Sequence, residues 1–241
     1  MSAAASVSIG LFSVLCMVCV GCADAPGHPA PGPEVPRPDQ VLAFAALYEQ
    51  NCAACHGAGG KNGAAMSLAN PVYLAVAGEA TLRKIAADGV SGKLMPAFAR
   101  SAGGTLTDQQ IDSLVHGIVQ TWSRPNVLGA SPAPSYAASA KGDPTQGQKA
   151  YAEFCARCHG ADGKGAKQAP GSIVDPLYLA LVSDQSLRSV IMAGRPDQDM
   201  PDWRSDMTGP GSRAMTEQEI TDVVAWLAAQ RTEYPGQPYE H

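Results

Sequence analysis

The pentad Cys-x-x-Cys-His occurs twice, as C52-A-A-C-H56 and C155-A-R-C-H159, each with a tyrosine four residues before it and a glycine after it. A wider pattern recurs around the pentads. Pro71-x-Tyr73-Leu-Ala matches Pro176-x-Tyr178-Leu-Ala, Thr81-Leu-Arg83 matches Ser186-Leu-Arg188, Met95-Pro96 matches Met200-Pro201, and T107-D-Q-Q-I matches T216-E-Q-E-I. A repeat this long is a duplicated domain rather than a solenoid, because each copy carries its own capped helices. Thr107 with Gln110 and Thr216 with Glu219 have capping-box spacing, and Ile111, Leu114, Val115 and Ile118 keep one helical face, as do Ile220, Val223, Val224 and Leu227. Asp143-Pro144 predicts a helix start before Tyr151, and short amphipathic helices are expected over 81–88 and 186–193, each ending near glycine. No strand alternation is visible. The expected fold class is all-α, two tandem small helical bundles at residues 39–123 and 143–231.

Apolar residues make up 45% of the 241 and charged residues 16%, a globular balance. Aromatics are only 6%, so two cores this small are thin unless something else fills them. A net charge of -5 without a basic stripe argues against nucleic acid as a partner. Of seven cysteines, four form the two pairs and Cys16, Cys19 and Cys22 lie in an N-terminal apolar run, so the odd count is not a disulfide framework. That run, residues 7–20, is short for a membrane span and suits an export segment over 1–21. V20-G-C22 resembles a bacterial lipoprotein cleavage site, which makes Cys22 an acylated lipid anchor; an uncleaved apolar anchor is the alternative, since Cys19 stands where leucine is usual. Residues 22–38 form a Pro-rich tether, 124–142 a linker and 232–241 a tail. Both anchor readings put the chain on the periplasmic, extracytoplasmic face of a bacterial membrane.

Cys-x-x-Cys-His is the covalent attachment pattern of haem c. Two thiols three residues apart on a helical turn reach both vinyl groups of one porphyrin, and the next residue aims its imidazole at the iron. A shared zinc site would need the two pairs together, and a thioredoxin-like dithiol would need a βαβ context. The expected cofactors are therefore two haem c groups with their iron, held by Cys52, Cys55 and His56 and by Cys155, Cys158 and His159. For the sixth position, Met95 and Met200 recur at matched places on Gly/Pro-rich loops as Met-Pro-x-aromatic. Met66, Met192, Met207 and Met215 have no repeat partner and read as packing, and His116 as a surface or packing residue.

Each copy resembles a class I cytochrome c domain, and the whole resembles a tethered dihaem cytochrome c. The resemblance implies small all-α folds whose N- and C-terminal helices cross beside the haem, with a proline carbonyl accepting from the axial histidine. Pro170 suits that role in the second copy; the first has no counterpart before Pro71. The family crossing pairs glycine with an aromatic. Gly147 and Trp226 fit, whereas the first copy has Phe44 and Gly117, a swap of sides that conserves summed volume. Arg83 and Arg188 are expected on solvated helix faces. His/Met ligation on both irons implies one-electron transfer, not catalysis on a small-molecule substrate. The main expectation is a membrane-tethered electron carrier between redox proteins or membrane electron-transport complexes. The alternatives are a fixed dihaem subunit of a respiratory or photosynthetic complex and, less favoured, a dihaem peroxidase.

Overall fold

Each repeat closes where its first helix crosses its last. The computed structural model describes residues 35–91, 93–165, 171–204 and 213–232. The first repeat contains α1 (Phe44–Asn51), α2 (Ala53–His56), α3 (Pro71–Asp88) and α4 (Asp108–Trp122). The second contains α5 (Pro144–Phe154), α6 (Ala156–His159), α7 (Pro176–Leu181), α8 (Asp184–Ala193) and α9 (Glu217–Ala228). Among the described residues there is no strand, only the isolated bridges Ala99 with Leu106 and Arg195 with Met200. The fold is all-α, as expected.

The last helices start where their caps predict. Thr107 Oγ1 accepts from Gln110 N (3.2 Å) while Gln110 Oε1 accepts from Thr107 N (3.0 Å). Thr216 and Glu219 repeat the exchange at 3.2 and 2.8 Å. Asp143 caps α5 by accepting from Thr145 N (2.7 Å), with Pro144 at the first helical position. The middle helices differ from expectation. In the first repeat α3 begins at Pro71, ten residues earlier than predicted, and kinks at Gly78, where φ is 73°. In the second, the same stretch is cut into α7 and α8 around Ser183, which caps α8. Proline behind an Asn or Asp cap starts a helical turn in both copies, a local signal that the short Pro-x-Tyr-Leu-Ala run obscured.

The crossing uses a glycine in each repeat to bring two helices into near-backbone contact. A β-carbon on Gly147 would collide with Asp222 O and stand 2.8 Å from Trp226 Cβ. A β-carbon on Gly117 would collide with the Phe44 ring and stand 2.7 Å from Phe44 Cβ. The large and small partners have thus changed sides, as anticipated. Trp122, not anticipated, completes the first crossing. Its ring is edge-on to Phe44 (centroids 5.6 Å) and to Tyr48 (5.0 Å). Trp226 meets the equivalent Tyr151 at 4.4 Å. Both indoles reach the glycine four residues after the pentad histidine, Gly60 or Gly163, although they sit at different heights on their helices.

From Pro38 onward the described residues form one body, in which α3 packs on α8. The Asn70 side chain donates to Ala193 O (2.9 Å) and Gly194 O (3.3 Å), and Lys93 Nζ donates to Ala180 O (3.2 Å), so each repeat touches the other near the start of one helix and the end of another. Tyr73 is 7% exposed, while its counterpart Tyr178 is 45% exposed. Burial first, and then Tyr136, pushes the Tyr73 hydroxyl pKa well above its usual range.

The connecting stretch lies along the second repeat. Here the solvated reading of Arg188 fails. Its side chain is 2% exposed and donates to Ser135 O (2.8 Å), Tyr136 O (3.1 Å) and Thr221 Oγ1 (2.9 Å). Three bond partners and Glu217 at 3.6 Å make burial of a guanidinium tolerable, because its fork of donors is satisfied by carbonyls. Arg83 does lie on an exposed face, paired with Asp112 (2.6 Å) and Asp108 (3.6 Å). His116 is exposed beside Glu79, a surface position.

Two outcomes are expected from these contacts. Gly117→Ala should destabilise the first repeat by about 1–3 kcal/mol through overpacking against Phe44, despite a helix-propensity gain of about 1 kcal/mol. Adding Phe44→Ala should recover part of the loss in thermal melts; a neutral single variant would refute the close contact. The second concerns acid. Arg213 above all, opposed by partial burial and aided by Thr216, holds the Glu219 carboxyl down to about 2 from 4.5. A carboxyl with a depressed folded value contributes fully above its unfolded value of 4.5 and loses that contribution as pH falls toward 2. Protection of the amides at the start of α9, taken relative to the intrinsic exchange rate at each pH, should therefore fall over that window. The same turn of α4, capped by neutral Gln110, should not respond, and Glu219→Gln should flatten the response.

Candidate functional site

The pentad of each repeat sits at a break between two helices. Cys52 (φ -122°, ψ -36°) and Cys155 (φ -117°, ψ -33°) leave ideal helix geometry in the same way. Cys52 N still bonds Tyr48 O (2.8 Å), and Cys155 N bonds Tyr151 O (2.8 Å), so the first cysteine caps one helix and opens the next. His56 N and His159 N then return to the carbonyls of Cys52 and Cys155 at 2.9 and 3.0 Å. The tyrosine hydroxyls fasten the turn from outside, Tyr48 donating to Gly57 O (2.8 Å) and Tyr151 to Gly160 O. Burial, with the nearby first cysteine adding, pushes both tyrosine pKa values up to about 12, so they remain donors at neutral pH.

The first thiol of each pair faces inward and the second is exposed, and all four are free. Burial, reinforced by the second cysteine of the pair, raises Cys52 and Cys155 to about 11. Burial also lowers both histidine pKa values, so each imidazole is held in its neutral, metal-ligating form. His56 Nδ1 lies 2.7 Å from Met66 O. A carbonyl only accepts, so Nδ1 carries the proton and the Nε2 lone pair is left to coordinate. A main-chain carbonyl at Met66 therefore takes the place of the proline that the first repeat lacks. Sequence reasoning missed it because a backbone acceptor leaves no mark on residue type. In the second repeat His159 Nδ1 is buried with no partner among the described residues, and Pro170 lies outside them.

The methionines stand on loops built alike. Gly89 (φ 68°) and Gly194 (φ 65°) end α3 and α8 in a conformation that L side chains resist, and the chain returns within 2.6 Å of where a β-carbon would be. Val90 N then donates to Met95 O (3.0 Å), and Arg195 N donates to Met200 O (2.8 Å). Three residues on, Phe98 N bonds Ala86 O (3.1 Å) and Trp203 N bonds Met192 O (3.3 Å), fastening each loop back to its helix. Met95 and Met200 are half-buried, whereas Met192 and Met215 are buried packing residues, as expected. Met207 and Cys22 lie outside the described residues.

The donor set fits haem c twice over. Each repeat offers two free thiols on one helical turn, a neutral imidazole after them, a methionine on a pinned loop, and, in the second, a buried imidazole N–H position without a protein partner among the described residues. Among the described residues no cluster of three or more His, Cys, Asp or Glu could hold a metal ion, so the cysteine pairs do not meet in a zinc site.

Residues 144–230 match the family model for cytochrome c, and residues 39–116 match the model for cytochrome c oxidase, cbb3-type, subunit III. The chain is a dihaem class I cytochrome c. Among its relatives, the cbb3-type cytochrome c oxidase subunit CcoP of Rhodobacter capsulatus is 30% identical over 194 residues, covering 77% of this chain and 60% of that protein. Subunit CcoP of Azospirillum brasilense is 32% identical, covering 55% of this chain and 45% of that one. Subunit FixP of Sinorhizobium medicae is 28% identical, covering 61% and 48%. The dihaem cytochrome thus spans no more than 60% of the length of these relatives. It carries two covalent haem c groups with their iron. Denatured wild-type chain should show two covalent haem additions by mass spectrometry; Cys155→Ala with Cys158→Ala should show one, and the converse pair at Cys52 and Cys55 likewise.

Proposed function

We propose that this dihaem cytochrome is a fixed electron-transfer subunit of a membrane oxidase-type complex. Cys52, Cys55 and His56 would hold one haem and Cys155, Cys158 and His159 the other, with Met95 and Met200 closing the sixth positions. Haem c ligated in this way supplies reversible one-electron exchange. The chain's own residues set its terms. The Met66 carbonyl orients His56 and raises its basicity. The tyrosine and tryptophan rings at each crossing exclude water from behind the attachment turn. The pinned loops present a thioether in place of a solvent molecule.

The observation that carries this reading is the doubling of one closed donor set within a single body: the same turn, imidazole and methionine loop, twice. The relatives' description as oxidase subunits supports the fixed-subunit reading over the membrane-tethered carrier that was the main expectation. A peroxidase would need one iron left open, and no observation favours that. In this reading the chain faces the periplasm, held at the membrane through acylated Cys22 or the N-terminal apolar run. No helix among the described residues is long and apolar enough to cross a membrane, and the proposed anchor lies outside them.

Purification from native membranes in mild detergent tests the assignment. Larger oxidase subunits should co-purify with the dihaem cytochrome. In the isolated, dithionite-reduced chain, carbon monoxide should leave the spectrum unchanged. Recovery of the chain alone would restore the carrier reading, and a prompt spectral shift of one haem would mean that Met95 or Met200 is not a ligand.

A further inference from the structure

Asn70 caps one helix and serves another. Its Oδ1 accepts from Val72 N (2.9 Å) and Tyr73 N (3.2 Å) at the start of α3. Its Nδ2 donates across the inter-repeat contact to Ala193 O (2.9 Å) and Gly194 O (3.3 Å) at the end of α8. The side chain is 3% exposed, and both ends of its amide are fully used. The Gly194 carbonyl belongs to the same peptide group as Arg195 N–H. That N–H donates to Met200 O (2.8 Å), and Met200 N returns to Arg195 O (3.1 Å). A line of hydrogen bonds therefore runs from Asn70 Nδ2 through one peptide group to the Met200 carbonyl, every member polarised in the same direction.

The first repeat has the same peptide, Gly89–Val90, donating to Met95 O at 3.0 Å. The residue that corresponds to Asn70 is Asp175. A carboxylate is an acceptor only, and Asp175 spends its oxygen on Tyr178 N (2.8 Å) as a cap. The arrangement is not symmetric: buried Asn70 reaches the peptide that holds the second methionine loop, whereas the first loop meets the second domain through the exposed Lys93 Nζ on Ala180 O (3.2 Å), and among the described residues Asp175 makes no bond like that of Asn70.

We propose that Asn70 is a positioning residue for Met200, through which the first domain sets the placement of the sulfur-bearing loop in the second. The inference rests on the reading of Met200 as an iron ligand. It makes the two sites unequal in how firmly their methionines are held, although their donor sets are alike.

The test uses full-length holoprotein carrying Asn70→Asp or Asn70→Ser. Both keep a helix-capping oxygen. The aspartate substitution turns the donor end into an acceptor facing two carbonyls, and serine is too short to span the contact. Amide exchange at Arg195 and Met200 should accelerate by roughly tenfold, while Val90 keeps its wild-type rate. In NMR spectra the S-methyl signal of Met200 should shift or broaden, and that of Met95 should not. Wild-type rates at Arg195 and Met200 in the variants, or equal loosening of both loops, would overturn the proposal. A wild-type Met200 methyl that feels no iron would refute the ligand reading instead, and exchange at Arg195 would still decide whether Asn70 positions the loop. Should the aspartate variant fail to take up haem, the serine variant carries the same comparison.

Discussion

A glycine at the crossing fixes the distance between the first and last helices of each repeat, and the site depends on that distance. The first helix delivers the tyrosine that closes the attachment turn, and the last delivers the indole that packs over the turn. Moving the helices apart by one methyl group would disturb both at once. Interiors are packed densely enough that such a change is not absorbed locally. The two repeats meet the same constraint with opposite hands, the Phe44 ring against Gly117 and the Asp222 carbonyl with Trp226 Cβ against Gly147. In the first, Trp122 joins the crossing residue Phe44 against the tyrosine ring, a contact that Trp226 makes by itself in the second.

Identical donor sets sit in unlike surroundings. A matched pair of arginines has become a surface ion-pair residue at Arg83 and a buried clamp at Arg188. A matched pair of caps has become Asn70, which bridges the repeats, and Asp175, which stays on its own helix. A matched pair of capping boxes has become a neutral one at Gln110, whose amide also holds Pro38 O and Val41 O, and a charged one at Glu219. Duplication kept the chemistry of the attachment turn and the methionine loop. The surfaces diverged because each copy has a different neighbour.

What could be read from sequence follows the range of the interaction. The terminal helices and their caps were legible because a capping box and a 3.6-residue spacing are local. That the two Cys-x-x-Cys-His turns and the two methionine loops would be built alike was legible because residue type recurs at fixed offsets, and each pair shares its backbone hydrogen bonds. The crossing swap was legible because Phe44 and Gly117 exchange places within a repeated frame. Arg188 was misread because nothing near it announces that the carbonyls of Ser135 and Tyr136, some fifty residues earlier, will come to it. The part played by Met66 was missed because its contribution is a backbone oxygen. The start of α3 at Pro71 was missed because a short helical run before a kinking glycine gives periodicity little room to show.

The clamp on the connecting stretch alters what joins the two domains. Arg204 Nη1 holds Val127 O at 2.8 Å, and Arg188 holds Ser135 and Tyr136 beyond it. Of the residues between α4 and α5, only 123–126 separate the end of α4 from the first clamped carbonyl. Fully extended, four residues reach about 14 Å. A leash that short gives the first domain a high local concentration at the surface of the second, and it removes most of the loop-closure entropy that a free nineteen-residue connection would carry. Separation of the domains would therefore have to begin with release of the arginines, not with stretching of the chain.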